Sequence, residues 1–273
     1  MTGASRSHAW SRVNWRLYLL AAIPVAALAI AGAVGPVAQP QDYHLFADRR
    51  PWLGVPNFGD AVSNAAFLIT GALGLFHCVR FRPEGARWSW IVFFVGVILV
   101  SAGSAYYHWS PTNQSLVWDR LPMTIGFMGV YVALLAEFVD RRLERFLLIP
   151  AALAGIASVA YWAVSGDLRF YFGVQALSLG SIVVIVLSFR NTRRQNRYLA
   201  AAFLTYALAV AGDRLDHEIF ALTNGVISGH TLKHLLAAVA PFWIYLMLRA
   251  RGQASSSGGL VATKNTRSER PVL

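Results

Sequence analysis

His230 and His234 stand four residues apart, a spacing that on a helix stacks two imidazoles on one face with Cβ atoms about 6 Å apart. One metal ion can be reached by both. Ser104 and His108 repeat the spacing in the segment Ser101-Ala-Gly-Ser104-Ala-Tyr-Tyr-His108, and Trp118-Asp119-Arg120 follows soon after. With His108 added, three neutral nitrogen donors are at hand, the set that leaves zinc a fourth position for water and belongs to catalysis more than to structure. Each piece alone also has an ordinary reading. Two interfacial histidines can hydrogen-bond to headgroups or loops, and a helical serine often bonds its own backbone or lets helices approach. Asp119 beside Arg120 can be an interfacial ion pair. What weighs against these readings is where the elements bring the residues.

The chain has 273 residues, 56% hydrophobic and 14% charged, too apolar for a soluble domain. A bilayer core needs about 20 apolar residues per helix. Runs near that length begin at about Leu17, Ala61, Trp88, Val117, Phe146, Phe170, Tyr198 and Thr231, which makes eight spans. Pro36, Pro40, Pro83, Gly85 and Pro111 punctuate their ends. Pro122 is read into the first turn of the fourth helix, where a missing N–H costs little. The expected fold is all-α, a polytopic membrane helical bundle with a seven-helix core plus one extra N-terminal transmembrane helix. That extra span, Leu17 to Val37 within residues 1–40, reads as an anchor rather than a cleaved signal, being longer than a signal core. Residues 41–251 form the core, and residues 252–273, rich in Ser, Gly and charge, read as a disordered tail.

Basic residues outnumber acidic ones by 24 to 13, and all but two are Arg. They fall in short gaps between apolar runs, so this is loop charge and no nucleic-acid partner is expected. The gaps alternate. Arg6, Arg12 and Arg16; Arg80, Arg82 and Arg87; Arg141, Arg142 and Arg145; Arg190, Arg193, Arg194 and Arg197; and Arg249 with Arg251 occupy every second gap, the pattern of cytoplasmic loops. Both termini are then cytoplasmic. The third span runs outward and the fourth and eighth inward, so Ser104, His108, Asp119, His230 and His234 meet at the outer face, periplasmic if the membrane is a bacterial inner one. Ionisable groups at such places are costly and ask for a reason. His8, His44, His77 and His217 lack comparable partners and read as structural. Asp213, Asp216 and Glu218 form an outer acidic cluster that reads as solvated loop charge ahead of assisting the site or binding a cation. Cys78 is the single cysteine, which leaves no intrachain disulfide and no thiolate metal cluster.

At these residues the chain resembles the alkaline ceramidase family, especially its bacterial ceramidase-like members, within a superfamily that includes adiponectin-receptor-like proteins. The matching motifs are Pro56-Asn57-Phe58 with Ser63-Asn64, Ser104-x-x-x-His108, Asp119 eleven residues later, and Ser228-Gly-His230-x-x-x-His234. They cover the chain from about Asn57 to Tyr245. The resemblance implies zinc held by His108, His230 and His234, with Asp119 beside the attacking water and Ser104 near the reacting carbonyl. It also implies a membrane lipid substrate, ceramide or a related N-acyl lipid, cut to a fatty acid and a long-chain base. Local chemistry agrees: a carboxylate can move a proton from water to a leaving amine, and a hydroxyl can donate to a developing oxyanion. One departure stands out. Animal members carry an acidic calcium-binding cluster where this chain has Asn57, which puts calcium control in doubt. The competing readings are hydrolysis of a different lipid, a receptor-like or signalling bundle with a structural zinc, and a haem protein. A retinal protein is disfavoured because Lys233 lies at a helix mouth.

Overall fold

A chain this apolar has to satisfy its backbone polar groups without water, and helices do so segment by segment. The computed structural model describes residues 15–189 and 193–265. Its helices are α1 (Trp15–Ala33), α2 (Phe58–Ser63), α3 (Ala65–Phe81), α4 (Arg87–Trp109), α5 (Asn113–Phe138), α6 (Arg142–Ser165), α7 (Arg169–Ser188), α8 (Arg193–Arg214), α9 (Asp216–Leu222) and α10 (Gly229–Asn265). Arg6, His8, Arg12, Arg190 and residues 266–273 of the expected tail lie outside the described residues. The helix of α10 itself runs past Arg251 into the segment read as tail.

The chain is an integral multi-pass membrane protein. Seven helices among the described residues are long and apolar enough to cross a bilayer: α1, α2 continued by α3, α4, α5, α6, α7 and the first part of α10. The sequence count was eight. The remaining expected span is helical, as α8, but Arg197 at one end and Asp213 and Arg214 at the other shorten its apolar stretch, so it does not qualify by length and composition. It packs chiefly against α10. The added N-terminal helix, α1, lies along α7. Arg169 Nη1 donates to the carbonyls of Ala31 and Val34, both at 2.7 Å, and ties the end of α1 to the start of α7.

α4 and α5 form the heart of the bundle. Their backbones approach so closely that a Cβ on Gly96 would come within 2.6 Å of the Gly126 nitrogen, and one on Gly129 within 2.7 Å of the Phe93 nitrogen. Small residues permit this approach, and it brings dispersion contacts that lipid cannot supply. The expectation for Pro122 is corrected here. α5 starts earlier than the apolar run suggests, because Thr112 and Ser115 form a reciprocal capping box ahead of the first apolar turn. Pro122 therefore lies inside the helix, where it cannot donate to the Trp118 carbonyl four residues back. That carbonyl faces Gly103 of α4, whose missing side chain leaves room for it.

Candidate metal centre

The last turn of α4, the second turn of α5 and the first turns of α10 lie at one end of the bundle, joined by α2 and by the ends of α8 and α9. His108, His230 and His234 come together there, all buried, each offering a ring nitrogen within 4.8 Å of the others. Their ring centroids are 4.8–4.9 Å apart. Nε2 of His108 and Nε2 of His230 are separated by 3.3 Å. Two nitrogens bound to one tetrahedral zinc at the usual bond length stand about 3.3 Å apart, so the pair already has the span of a metal's ligands. The cluster could hold a metal ion, and its all-imidazole, cysteine-free donor set is one that zinc, copper, iron or nickel accepts.

The opposite ring nitrogens decide how the histidines are aimed. Nδ1 of His230 lies 2.8 Å from Asp213 Oδ1. Nδ1 of His234 lies 3.0 Å from the Asp60 carbonyl oxygen and 2.8 Å from Ser63 Oγ. Both rings thus turn Nε2 inward, the arrangement in which a partner on the far nitrogen fixes tautomer and orientation. His108 differs: its Nδ1 is buried with no partner, while its backbone carbonyl accepts from Asn57 Nδ2 at 2.8 Å. With the N–H groups of His230 and His234 turned outward to Asp213 and the Asp60 carbonyl, the lone pairs of these rings face inward, an arrangement that a cation would satisfy.

Backbone contacts hold the ligand helices in register. Gly229 opens α10 against the carbonyl of Gly212, a contact that leaves no room for a side chain. Asp216 caps the new helix by accepting from the His230 N–H at 2.7 Å and also accepts from the Ala47 N–H at 2.8 Å. Through Ala47 it anchors the connector between α1 and α2. Phe46 of that connector lays its ring on His108 and His230, with centroids 4.7 and 4.5 Å away. Asn57 ends the connector in the left-handed region, at φ 44°, which asparagine tolerates better than most residues.

Asp119 and Ser104 belong to the same end. Gly103 allows Trp118 and Asp119 to press against α4, next to Ser104 one residue further along that helix. Asp119 lies within electrostatic reach of Lys233 and His230. It makes no ion pair with Arg120, because adjacent helical residues do not face each other. Lys233 Nζ donates instead to Asp213 Oδ1 at 3.0 Å. All five residues singled out from the sequence therefore converge, three as an imidazole cluster and two as a neighbouring carboxylate and hydroxyl.

Sequence reasoning missed three participants. Asp213 and Asp216 were read as solvated loop charge, whereas Asp213 orients His230 and Asp216 caps α10. Asp60 was not singled out, yet it is fully buried; its Oδ1 accepts from Thr231 Oγ1 at 2.6 Å and Ser228 Oγ at 3.1 Å. An acid one turn into the Asn57–Asn64 segment was the available signal. Of the histidines read as structural, His8 lies outside the described residues, His44 faces Tyr107 and Asn113, and His217 faces the Leu45 carbonyl. His77 packs its ring against Phe81 and Tyr245. In the connector, Asp48 is gripped by Arg50 through two contacts of 2.7 Å, and that guanidinium holds its carboxyl below the usual carboxylate range.

A model of the family described as Ceramidase matches residues 55–250. Comparison with individual curated proteins returns no match. The matched stretch contains all three histidines, Asp119 and Ser104, and begins after α1 and most of the connector.

Proposed function

The chain belongs to the Ceramidase family, and from that premise we propose that it is a zinc-dependent membrane amidohydrolase that cleaves ceramide or a related N-acyl lipid to a fatty acid and a long-chain base. Family membership implies hydrolysis of an amide bond. The observation that carries the rest is the 3.3 Å approach of His108 and His230 Nε2 within a three-histidine cluster that adjoins Asp119 and Ser104.

In this reading His108, His230 and His234 hold the ion. Zinc bound there supplies Lewis acidity, drawing electron density from the amide carbonyl and making water a stronger nucleophile near neutral pH. Asp119 accepts a proton from the attacking water as the new C–O bond forms, then delivers it to the amide nitrogen as the C–N bond breaks. The Ser104 hydroxyl donates to the carbonyl oxygen as that oxygen gathers charge. Asp213, Asp60 and Ser63 keep two ligand rings aimed, so little reorganisation is left for the reaction. Phe46 keeps bulk water off the imidazoles.

With α8, which packs against α10, taken as the eighth crossing, the alternation of Arg between gaps supports an orientation with both termini cytoplasmic and the site on the outer side, periplasmic in a bacterial inner membrane. Residues 41–251 act as the functional unit, with α1 as an added anchor along α7. The deciding experiment is metal content of the purified protein measured together with ceramide turnover, with and without chelator. Stoichiometric zinc whose removal stops turnover is the expected result; metal-free protein that still hydrolyses would overturn the mechanism.

A further inference from the structure

Arg120 follows Asp119 on α5 but turns towards α6 and α7. Its Cζ lies 4.2 Å from the centre of the Trp162 ring and 4.9 Å from that of Tyr171. Nη2 donates to Gln39 Oε1 at 2.5 Å. Nη1 is buried without a partner, and the whole residue is 5% exposed. Among the described residues, no carboxylate lies within ion-pair distance of this guanidinium. The contrast with Lys233 is direct, since that buried cation has Asp213 at 3.0 Å.

Aromatic faces attract a cation but give its N–H groups no acceptor in the guanidinium plane. A planar fork clamped between rings, with one buried donor left unpaired, is suited to reading a carboxylate or phosphate. Tyr43 adjoins both this guanidinium and the lysine beside the triad. The centre of its ring is 5.7 Å from Arg120 Cζ and 5.9 Å from Lys233 Nζ, and Lys233 Nζ is 3.2 Å from His230 Nε2. The unpaired cation is thus one aromatic ring removed from the residues that border the triad.

We propose that Arg120 is a specificity-determining residue whose unpaired Nη1 receives an anionic oxygen group, carboxylate or phosphate, carried next to the amide of the lipid substrate. This rests on the amidohydrolase reading and narrows it from N-acyl lipids in general to those with an acid beside the amide. A neutral lipid leaves the guanidinium edge unpaired, and sites built around a buried polar group discriminate against ligands that fail to pair it.

The test uses the full-length protein in detergent and two matched pairs: N-palmitoyl-serine with its methyl ester, and ceramide phosphate with ceramide. Binding affinity and fatty-acid release are measured separately for each. The expected result is about tenfold or greater preference for the acid in at least one pair, the charge-assisted hydrogen bond being the difference. The pair that shows it identifies carboxylate or phosphate. Arg120→Gln brings the binding ratio towards one, and Arg120→Lys lowers it because a point charge cannot replace the fork. Equal wild-type affinity for acid and neutral lipid in both pairs overturns the proposal, and so does a preference that persists in Arg120→Gln. The wild-type comparison decides alone if the variants do not fold. Selective binding without release of fatty acid from any of the four lipids would instead sink the amidohydrolase reading and leave anion recognition by Arg120 standing.

Discussion

His230 Nδ1 and Lys233 Nζ converge on one oxygen of Asp213, at 2.8 and 3.0 Å. A single carboxylate at the end of α8 thus sets the rotation of an imidazole on α10 and neutralises the lysine beside it. Removing the charge releases both: the ring loses the acceptor that keeps Nε2 inward, and Lys233 becomes an uncompensated cation next to the triad. We expect Asp213→Asn to weaken metal affinity by about 10- to 100-fold, the usual cost of losing a partner behind a ligating histidine. Competition with a chelator of known affinity measures it. Unaltered affinity would show that Asp213 is not the positioning residue.

The ligands and the proton carrier should separate cleanly. His108→Ala or His230→Ala removes a donor and is expected to empty the site of metal and abolish turnover. Asp119→Asn keeps the shape but cannot take a proton, so turnover is expected to fall by about 10²- to 10⁴-fold while metal content stays near wild type. Ser104→Ala should lower kcat by about 10²- to 10³-fold, the loss typical of one donor to a developing oxyanion. Metal analysis run beside lipid turnover on each variant distinguishes the roles. A His230→Ala protein with full activity would end the proposal.

Gly103 is where helix packing and chemistry meet. A Cβ there would collide with the Trp118 backbone carbonyl, and backbone cannot swing aside as a long side chain can. Gly103→Ala therefore has to push α4 and α5 apart at the level of Ser104 and Asp119. We expect about 1–3 kcal/mol of destabilisation from overpacking, seen as a lower thermal midpoint. Turnover is expected to fall as well, through the shifted hydroxyl and carboxylate. Gly32→Ala, at a glycine of α1 with open space around it, serves as the matched control and should leave both readouts in place.

The helices were legible because length and apolar content are local properties, and Arg in alternate gaps marks their ends. The triad was legible in part because His230 and His234 share one helix face. What the sequence did not disclose depends on contacts far apart along the chain. Asp213 meets a ring seventeen residues on, and Asp60 and Ser63 meet His234 across more than 170 residues. Phe46 comes from a connector with no helical period to place it. Pro122 was misplaced because apolar content sets where a span looks to begin, whereas the polar Thr112–Ser115 cap sets where α5 does begin. α8 was read as a span from its apolar centre and is helical there, but Arg197 and Asp213 shorten the apolar stretch below what length and composition alone pick out.

Metal removal should be readable in stability as well as in turnover. The triad takes one ligand from α4 and two from α10, so a bound ion joins segments more than 100 residues apart. An ion that binds the folded state alone stabilises it by about 2.7 kcal/mol at 100 times its dissociation constant. Imidazoles must shed their protons to act as ligands, so the gain should weaken as the medium is acidified. We expect chelation near neutral pH to lower the thermal midpoint of the wild-type protein and zinc to restore it. His234→Ala, lacking one donor, should show a much smaller response to either treatment. A wild-type midpoint that does not move after metal analysis confirms removal would mean that the histidines pack together without help from an ion, and the centre would have to be reassigned as structural.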